Sequence, residues 1–259
     1  MMKKTAKVLT AAAAAIAALI SVQSCLKDTD AYYIYFPNAI VTVKQVPGDT
    51  AGCYLQLDDT TTLIADNMRT SPFGNKEVRA LVSIQETGAT VEGYDKVVHV
   101  YAIDSILTKN TVQFTSDPEF TETYGNDPVA MINDWMTVVE DGYITLRFRV
   151  RTSGPGTIHK VNLVTNTTDD PYLLEFRHKI EGASYPDEIH PANGYPADGL
   201  AAFRLDSLPD TNGETVKLAL KWKSFDGQYH TTQFDYCTGK SSPAKMEIES
   251  EASFLTNLQ

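Results

Sequence analysis

The chain has 259 residues, 42% of them hydrophobic and 21% charged. That globular mix excludes a disordered or collagen-like chain and allows one large β domain or two of ordinary size. Its 22 Lys+Arg against 33 Asp+Glu give a net charge of −11, the wrong sign for general phosphate-backbone binding, so no nucleic-acid partner is expected. Three cysteines are too few for a disulfide-dense scaffold.

Residues 1–24 read as an address. A basic stretch, Met1 to Lys7, leads into an apolar run from Val8 through Ala11–Ala15 to Val22, the two regions of a secretory signal. The run is 15 residues long, short of the ~20 a spanning helix needs. Val22-Gln23-Ser24-Cys25 then places a cysteine after a small residue. This resembles a lipoprotein signal in which Cys25 becomes the lipidated first residue, an anchor of several acyl chains. The alternative is an ordinary secreted protein with Cys25 free. Residues 25–35 follow as a spacer, and Leu26-Lys27-Asp28-Thr29-Asp30 is similar to an outer-surface sorting signal or serves as an acidic solvated linker. Without residues 1–24 the chain carries 19 basic and 33 acidic residues, a net charge of −14.

From residue 36 onward the chain predicts an all-β protein. Period-two alternation recurs in short runs bounded by Gly, Pro, Asn and Asp. Ala39 to Val46 is a strand with Pro47-Gly48 as its turn. Cys53, Leu55 and Leu57 share one face of the next. Val78, Ala80, Val82 and Ile84 alternate with Arg79, Ser83 and Gln85, and Val98, Val100 and Ala102 with His99, Tyr101 and Ile103. Such strands over residues 36–115 predict a small closed barrel. Residues 116–250 predict an antiparallel sandwich, with strands at Ile144–Val150, Ile158–Thr165, Tyr172–His178, Leu200–Leu205 and Thr215–Lys223, and 251–259 a tail. Asp117-Pro118 and Asp127-Pro128 bias the connecting stretch against helix.

Several of these segments together resemble the NigD-like lipoproteins. In the first half they are Ala39-Ile40-Val41-Thr42-Val43, Tyr54 through Leu63, Arg79-Ala80-Leu81-Val82, and Val100 through Lys109. In the second they are Asp127-Pro128, Gly142 through Leu146, His159 through Val164, and Leu174 through His178. The resemblance implies a small OB-like barrel followed by a β-sandwich on a lipid anchor in the outer membrane of Gram-negative anaerobes, on its periplasmic side or at the cell surface. An immunity or accessory role is proposed for the family's namesake. It supplies no catalytic residues. Thr60 stands where the family has glycine after Asp58-Asp59, so that turn is expected to differ.

No catalytic motif is present, and the chain is read as non-enzymatic, with no cofactor or metal site. His99, His159, His178, His190 and His230 lack chelating spacing and are read as packed or hydrogen-bonded sheet residues. A Cys53–Cys237 disulfide needs the two within ~4–7 Å; two free thiols in separate domains is the other reading. Arg147, Arg149, Arg151, Lys217, Lys221 and Lys223 lie on the polar faces of two strands. If those strands are neighbours they form a basic stripe for an anionic glycan, lipid headgroups or an acidic protein. Otherwise they are a solvated face paired with residues such as Glu175 and Asp206. Tyr185 and Tyr195, in a loop from Glu181 to Gly199, are candidate sugar-stacking residues, and Tyr54 or Tyr101 are candidates on the barrel. Asp49-Thr50-Ala51, Asp59-Thr60-Thr61, Asp104-Ser105-Ile106 and Asp206-Ser207-Leu208 are similar to O-glycosylation acceptors. The expected function is binding of a glycan or envelope-protein partner by a lipid-anchored protein. The alternatives are an immunity or inhibitor protein and a hydrolase with a dispersed site.

Overall fold

The computed structural model describes residues 36–153, 156–182, 194–239 and 244–245; residues 1–35, Tyr185, His190 and the tail lie outside them. Five strands make the barrel: β1 (Ala39–Val46), β2 (Asp49–Gln56), β3 (Thr62–Ala65), β4 (Val78–Glu86) and β5 (Lys96–Ser105). They close in the order β1-β2-β3-β5-β4. The apolar side chains of the alternating runs, Val41, Val43, Cys53, Leu55, Leu63, Ala80, Val82, Val98 and Val100, fill the interior. Gly48 takes positive φ in the β1–β2 turn, as Pro47-Gly48 predicts.

The alternation predicted for β5 breaks at one place. Ser83 pairs with Ala102 and Ile84 with Val100, so Tyr101 is an extra residue, a β-bulge. The bulge shifts the period, and Ile103 rather than Ala102 packs on the barrel core. The turn after Asp58-Asp59 also differs from a glycine turn as expected. The Asp58 carboxylate accepts from the backbone N–H groups of Thr60 and Thr61 at 2.8 and 2.7 Å, which lets threonine occupy the position.

The remaining strands are β6 (Leu107–Asn110), β7 (Val112–Gln113), β8 (Ala130–Met131), β9 (Val138–Glu140), β10 (Tyr143–Thr152), β11 (Ile158–Thr165), β12 (Leu173–Glu181), β13 (Tyr195–Arg204), β14 (Val216–Lys223), β15 (Tyr229–Tyr236) and β16 (Ala244–Lys245). They form two facing sheets, β16-β9-β10-β13-β6 with β8 also on β10, and β15-β14-β12-β11-β7. One five-residue helix, α1 (Phe120–Tyr124), fits between the two Asp-Pro pairs. Because β6 and β7 pair into the sandwich, the barrel ends before residue 107 rather than near 115. Three sandwich pairings, β6–β13, β7–β11 and β12–β14, run parallel, a detail that alternation within one strand does not carry. Tyr195–Gly199, read as loop, opens β13. Pro196 sits there opposite Arg151, where β13 has only β10 as neighbour and no ladder donor is lost.

The sandwich interior is a single cluster that includes Leu146, Phe148, Leu163, Phe176, Phe203, Leu220 and Trp222. It leaves little slack: a Cβ on Gly199 would lie 2.5 Å from Phe148 Cζ. Gly199→Ala is therefore expected to cost about 1–3 kcal/mol by overpacking, read as a lowered urea midpoint. An unchanged midpoint would mean that the Phe148 ring can move aside.

A third cluster joins the domains. Ile40 and Ile106 from the barrel side meet Tyr143 and Ala202 on the outer face of the β10–β13 pair. Thr145, which shares the polar face of β10 with Arg147 and Arg149, is fully buried. Around this cluster lies a polar frame. Arg79, 0% exposed, donates to Thr42 Oγ1 at 3.0 Å and to Glu140 Oε1 at 2.5 Å. Tyr143 donates to Glu77 Oε1 at 2.6 Å beneath the Arg204 guanidinium. Lys44 reaches Asp141 at 2.6 Å. Burial and the Glu77 carboxylate push the Tyr143 hydroxyl well above its ordinary pKa.

Candidate functional site

The six predicted cations do not form one stripe, because β10 and β14 belong to opposite sheets of the sandwich. Arg149 stands in register with Asp198 and grips it with bonds of 2.6 and 3.1 Å. Arg147 bonds the same carboxylate at 2.8 Å and also Asp134. Hydrogen bonds from Arg149 and then Arg147 hold the Asp198 carboxyl below the usual range. Arg151 donates to Gly194 O at 3.2 Å and lies over the Phe225 ring. On the other sheet Lys217 pairs with Asp235 at 2.9 Å. Lys221 pairs with buried Glu175 at 3.2 Å and sits over Tyr229, and Lys223 continues that face. Carboxylate pairing thus offsets Arg147, Arg149, Lys217 and Lys221, four of the six cations. Tyr195, 75% exposed, opens β13 opposite Thr152. Trp135, which carries no periodic signal, is exposed next to Asp134.

The cysteines and histidines also take defined places. Cys53 is buried in the barrel and Cys237 half-buried at the sandwich end, both as free thiols; burial pushes the Cys53 thiol up. His159 and His178 stack with Nδ1 and Nε2 2.9 Å apart. Of the Asp-Ser/Thr tripeptides, Ser105 is exposed, Thr60 bonds Asp58 and Ser207 bonds Thr111.

A cleft of about 390 Å³ opens where the barrel meets one end of the sandwich. Its walls are the β2–β3 loop at Asp59, the β9–β10 hairpin at Glu140, the segment after β13 at Asp206 and Asp210, and the end of β15 at Asp235 to Gly239. The hairpin is set by Asp141-Gly142, both at positive φ (50° and 73°), the dipeptide a two-residue turn of this type demands. That Asp-Gly pair marks β9, which strand patterning alone misses. Asp141 N–H donates to Asp59 Oδ1 at 2.5 Å, pinning the barrel loop to the hairpin.

Five carboxylates therefore line one cavity, with unequal environments. Asp210 accepts from the Thr238 hydroxyl and from Asn212 N–H, which hold its carboxyl below the ordinary value. Asp235 is engaged by Lys217. Burial raises Glu140 despite Arg79 beside it. Burial also raises Asp59, whose Oδ2 is buried without a hydrogen-bond partner. Burial pushes the Tyr236 hydroxyl up to about 12. Desolvated carboxylates of this kind favour a cation that replaces lost water. Among the described residues no group of three or more His, Cys, Asp or Glu is poised to hold a metal ion. The acidic residues come from four separate segments, so no spacing in the sequence announces the cleft.

The NigD-like N-terminal OB domain matches residues 40–106, and the NigD-like C-terminal β-sandwich domain matches residues 111–236. No curated protein matches the chain. A protein described as toxin related from Parabacteroides distasonis is 30% identical at a TM-score of 0.60, over 77% of this chain and 92% of its own. A NigD-like immunity protein from Bacteroides caccae is 18% identical at 0.55, over 79% and 99%. A protein described as a lipoprotein from Bacteroides fragilis is 15% identical at 0.54, over 78% and 98%. The last two share the fold.

Proposed function

The chain belongs to the NigD-like family, and on that premise we propose that it is a lipid-anchored envelope protein that binds a protein partner and catalyses nothing. The observation that carries this reading is the cleft, where the desolvated Asp59 and Glu140 stand with Asp206 and Asp210. A Lys or Arg side chain on a partner would supply the counter-charge for Asp59, whose buried Oδ2 has no hydrogen-bond partner, the type of buried, complementary contact on which interfaces depend. Support comes from the acidity of the chain beyond residue 24, net −14, and from the immunity protein that shares the fold. Cys25, which lies outside the described residues, supplies the anchor to the outer membrane.

One experiment in two arms tests this. Cys25→Ala is expected to move the protein from the membrane to the soluble fraction, and unchanged partitioning would remove the anchor. In the second arm the protein is immobilised and exposed to envelope extract. An envelope protein should be retained, released by raised salt, and lost from Asp59→Asn/Asp206→Asn. Retention that ignores both salt and those substitutions would overturn the cleft as the contact.

A further inference from the structure

The bulge in β5 has a second effect: it sets an aromatic ring on the outside of the barrel and holds it there. Tyr101 is 40% exposed, yet its hydroxyl donates to Gln85 Oε1 at 2.7 Å. Its ring meets the His99 ring edge-on, with centroids 4.9 Å apart at 61°. His99 is itself fixed, Nδ1 lying 2.8 Å from Asp66 Oδ1 and Nε2 3.3 Å from Asn67 Nδ2. The Asn67 side chain is locked onto the backbone of Val100 by bonds of 2.8 and 3.0 Å. Bulges re-aim side chains in this way, and a ring already held loses little freedom when something stacks on it.

The chemistry around the ring narrows what that something is. The cluster offers a flat aromatic face, a half-exposed carboxylate at Asp66 and the exposed primary amide of Gln85. Among the described residues the hydrogen bonds given for His99 and Asn67 run to each other, to Asp66 and to the Val100 backbone. A phosphate or uronate would be repelled by the Asp66 carboxylate, and a nucleic acid would set its phosphates against the same charge. A pyranose fits both features, since its C–H face is apolar and its rim is hydroxyl. We propose that Tyr101, with Asp66 and Gln85 at its edge, is a binding site for an uncharged saccharide unit. The C–H face stacks on the ring, and hydroxyls donate to Asp66 and accept from Gln85. This site is built from β4, β5 and the loop after β3, apart from the cleft residues, and it does not depend on the protein-partner reading.

The test uses the full chain in a non-glycosidic detergent. It is titrated by calorimetry with neutral oligomers of glucose, mannose, galactose and xylose in both anomeric linkages, and with oligogalacturonate. A neutral series should bind, and Tyr101→Ala should weaken it by about tenfold or more, the size of one aromatic stacking contact. Tyr101→Phe, which keeps the ring, should stay close to the parent and guards against a folding defect. Asp59→Asn should leave saccharide binding unchanged, which separates this site from the cleft. No heat from any neutral oligomer at millimolar concentration, equal binding of oligogalacturonate, or binding indifferent to Tyr101→Ala would each overturn the proposal.

Discussion

Arg79→Met is expected to cost about 3–5 kcal/mol, because it leaves Glu140 buried at the junction without its counter-charge. The same substitution frees Thr42 Oγ1 from its bond to the guanidinium. Adding Glu140→Leu should recover most of the loss, since an apolar pair of similar volume needs no solvation. Urea unfolding of the parent, the single and the double variant measures both effects. A single-variant loss below about 1 kcal/mol would show that the apolar contacts of Ile40, Ile106 and Ala202 hold the junction unaided.

Acid should destabilise the sandwich through His178. This ring is 1% exposed, and burial followed by the neighbouring His159 lowers its pKa from 6.5 to about 4. The unfolded chain takes up a proton as pH falls below 6.5, and the native state declines it until about 4. Stability from this group is therefore complete above 6.5 and lost as pH falls toward 4. The total is about 3 kcal/mol at ~1.36 kcal/mol per pH unit. His159, also lowered by burial, pulls the same way, and the Asp127 carboxylate nearby opposes both. His178→Gln should flatten the profile between pH 6.5 and 4 relative to the parent, whatever it does to stability at pH 7.5. Parallel profiles for the two proteins would show that the ring is already charged in the fold. Carboxylates such as Asp198 titrate in both proteins, so the difference isolates the histidine.

Arg79 also shows where sequence patterning stops. Alternation sets Ala80 and Val82, which fill the barrel interior, on one face of β4 and Arg79 on the other. The outer face of β4 is covered by a second domain at that point, and no period within one strand reports what lies on its far side. Thr42 and Thr145 were concealed in the same way. The six cations of β10 and β14 illustrate a related limit: each strand was correctly placed, but whether two strands are neighbours is a property of topology. The parallel step from β12 to β14 passes through β13 in the opposite sheet. Short pairs such as β6, β7 and β16 have too few residues to show any period. Asp141-Gly142, by contrast, was legible as a turn and would have located β9. Tyr101 was legible as an exposed aromatic, whereas the bulge that fixes it depends on the partner strand.

The two short strands after the barrel have a bearing on manufacture and misfolding. Residues 107–110 cap the outer edge of one sheet and 112–113 the outer edge of the other. The passage between the domains therefore doubles as the border of both sheets. Cutting the chain at a tidy midpoint near residue 115 would leave the sandwich with two raw borders of unpaired N–H and C=O groups, open to strands of other molecules. A sandwich fragment meant to stay soluble must begin before Leu107, and one that begins after Gln113 should precipitate as it refolds.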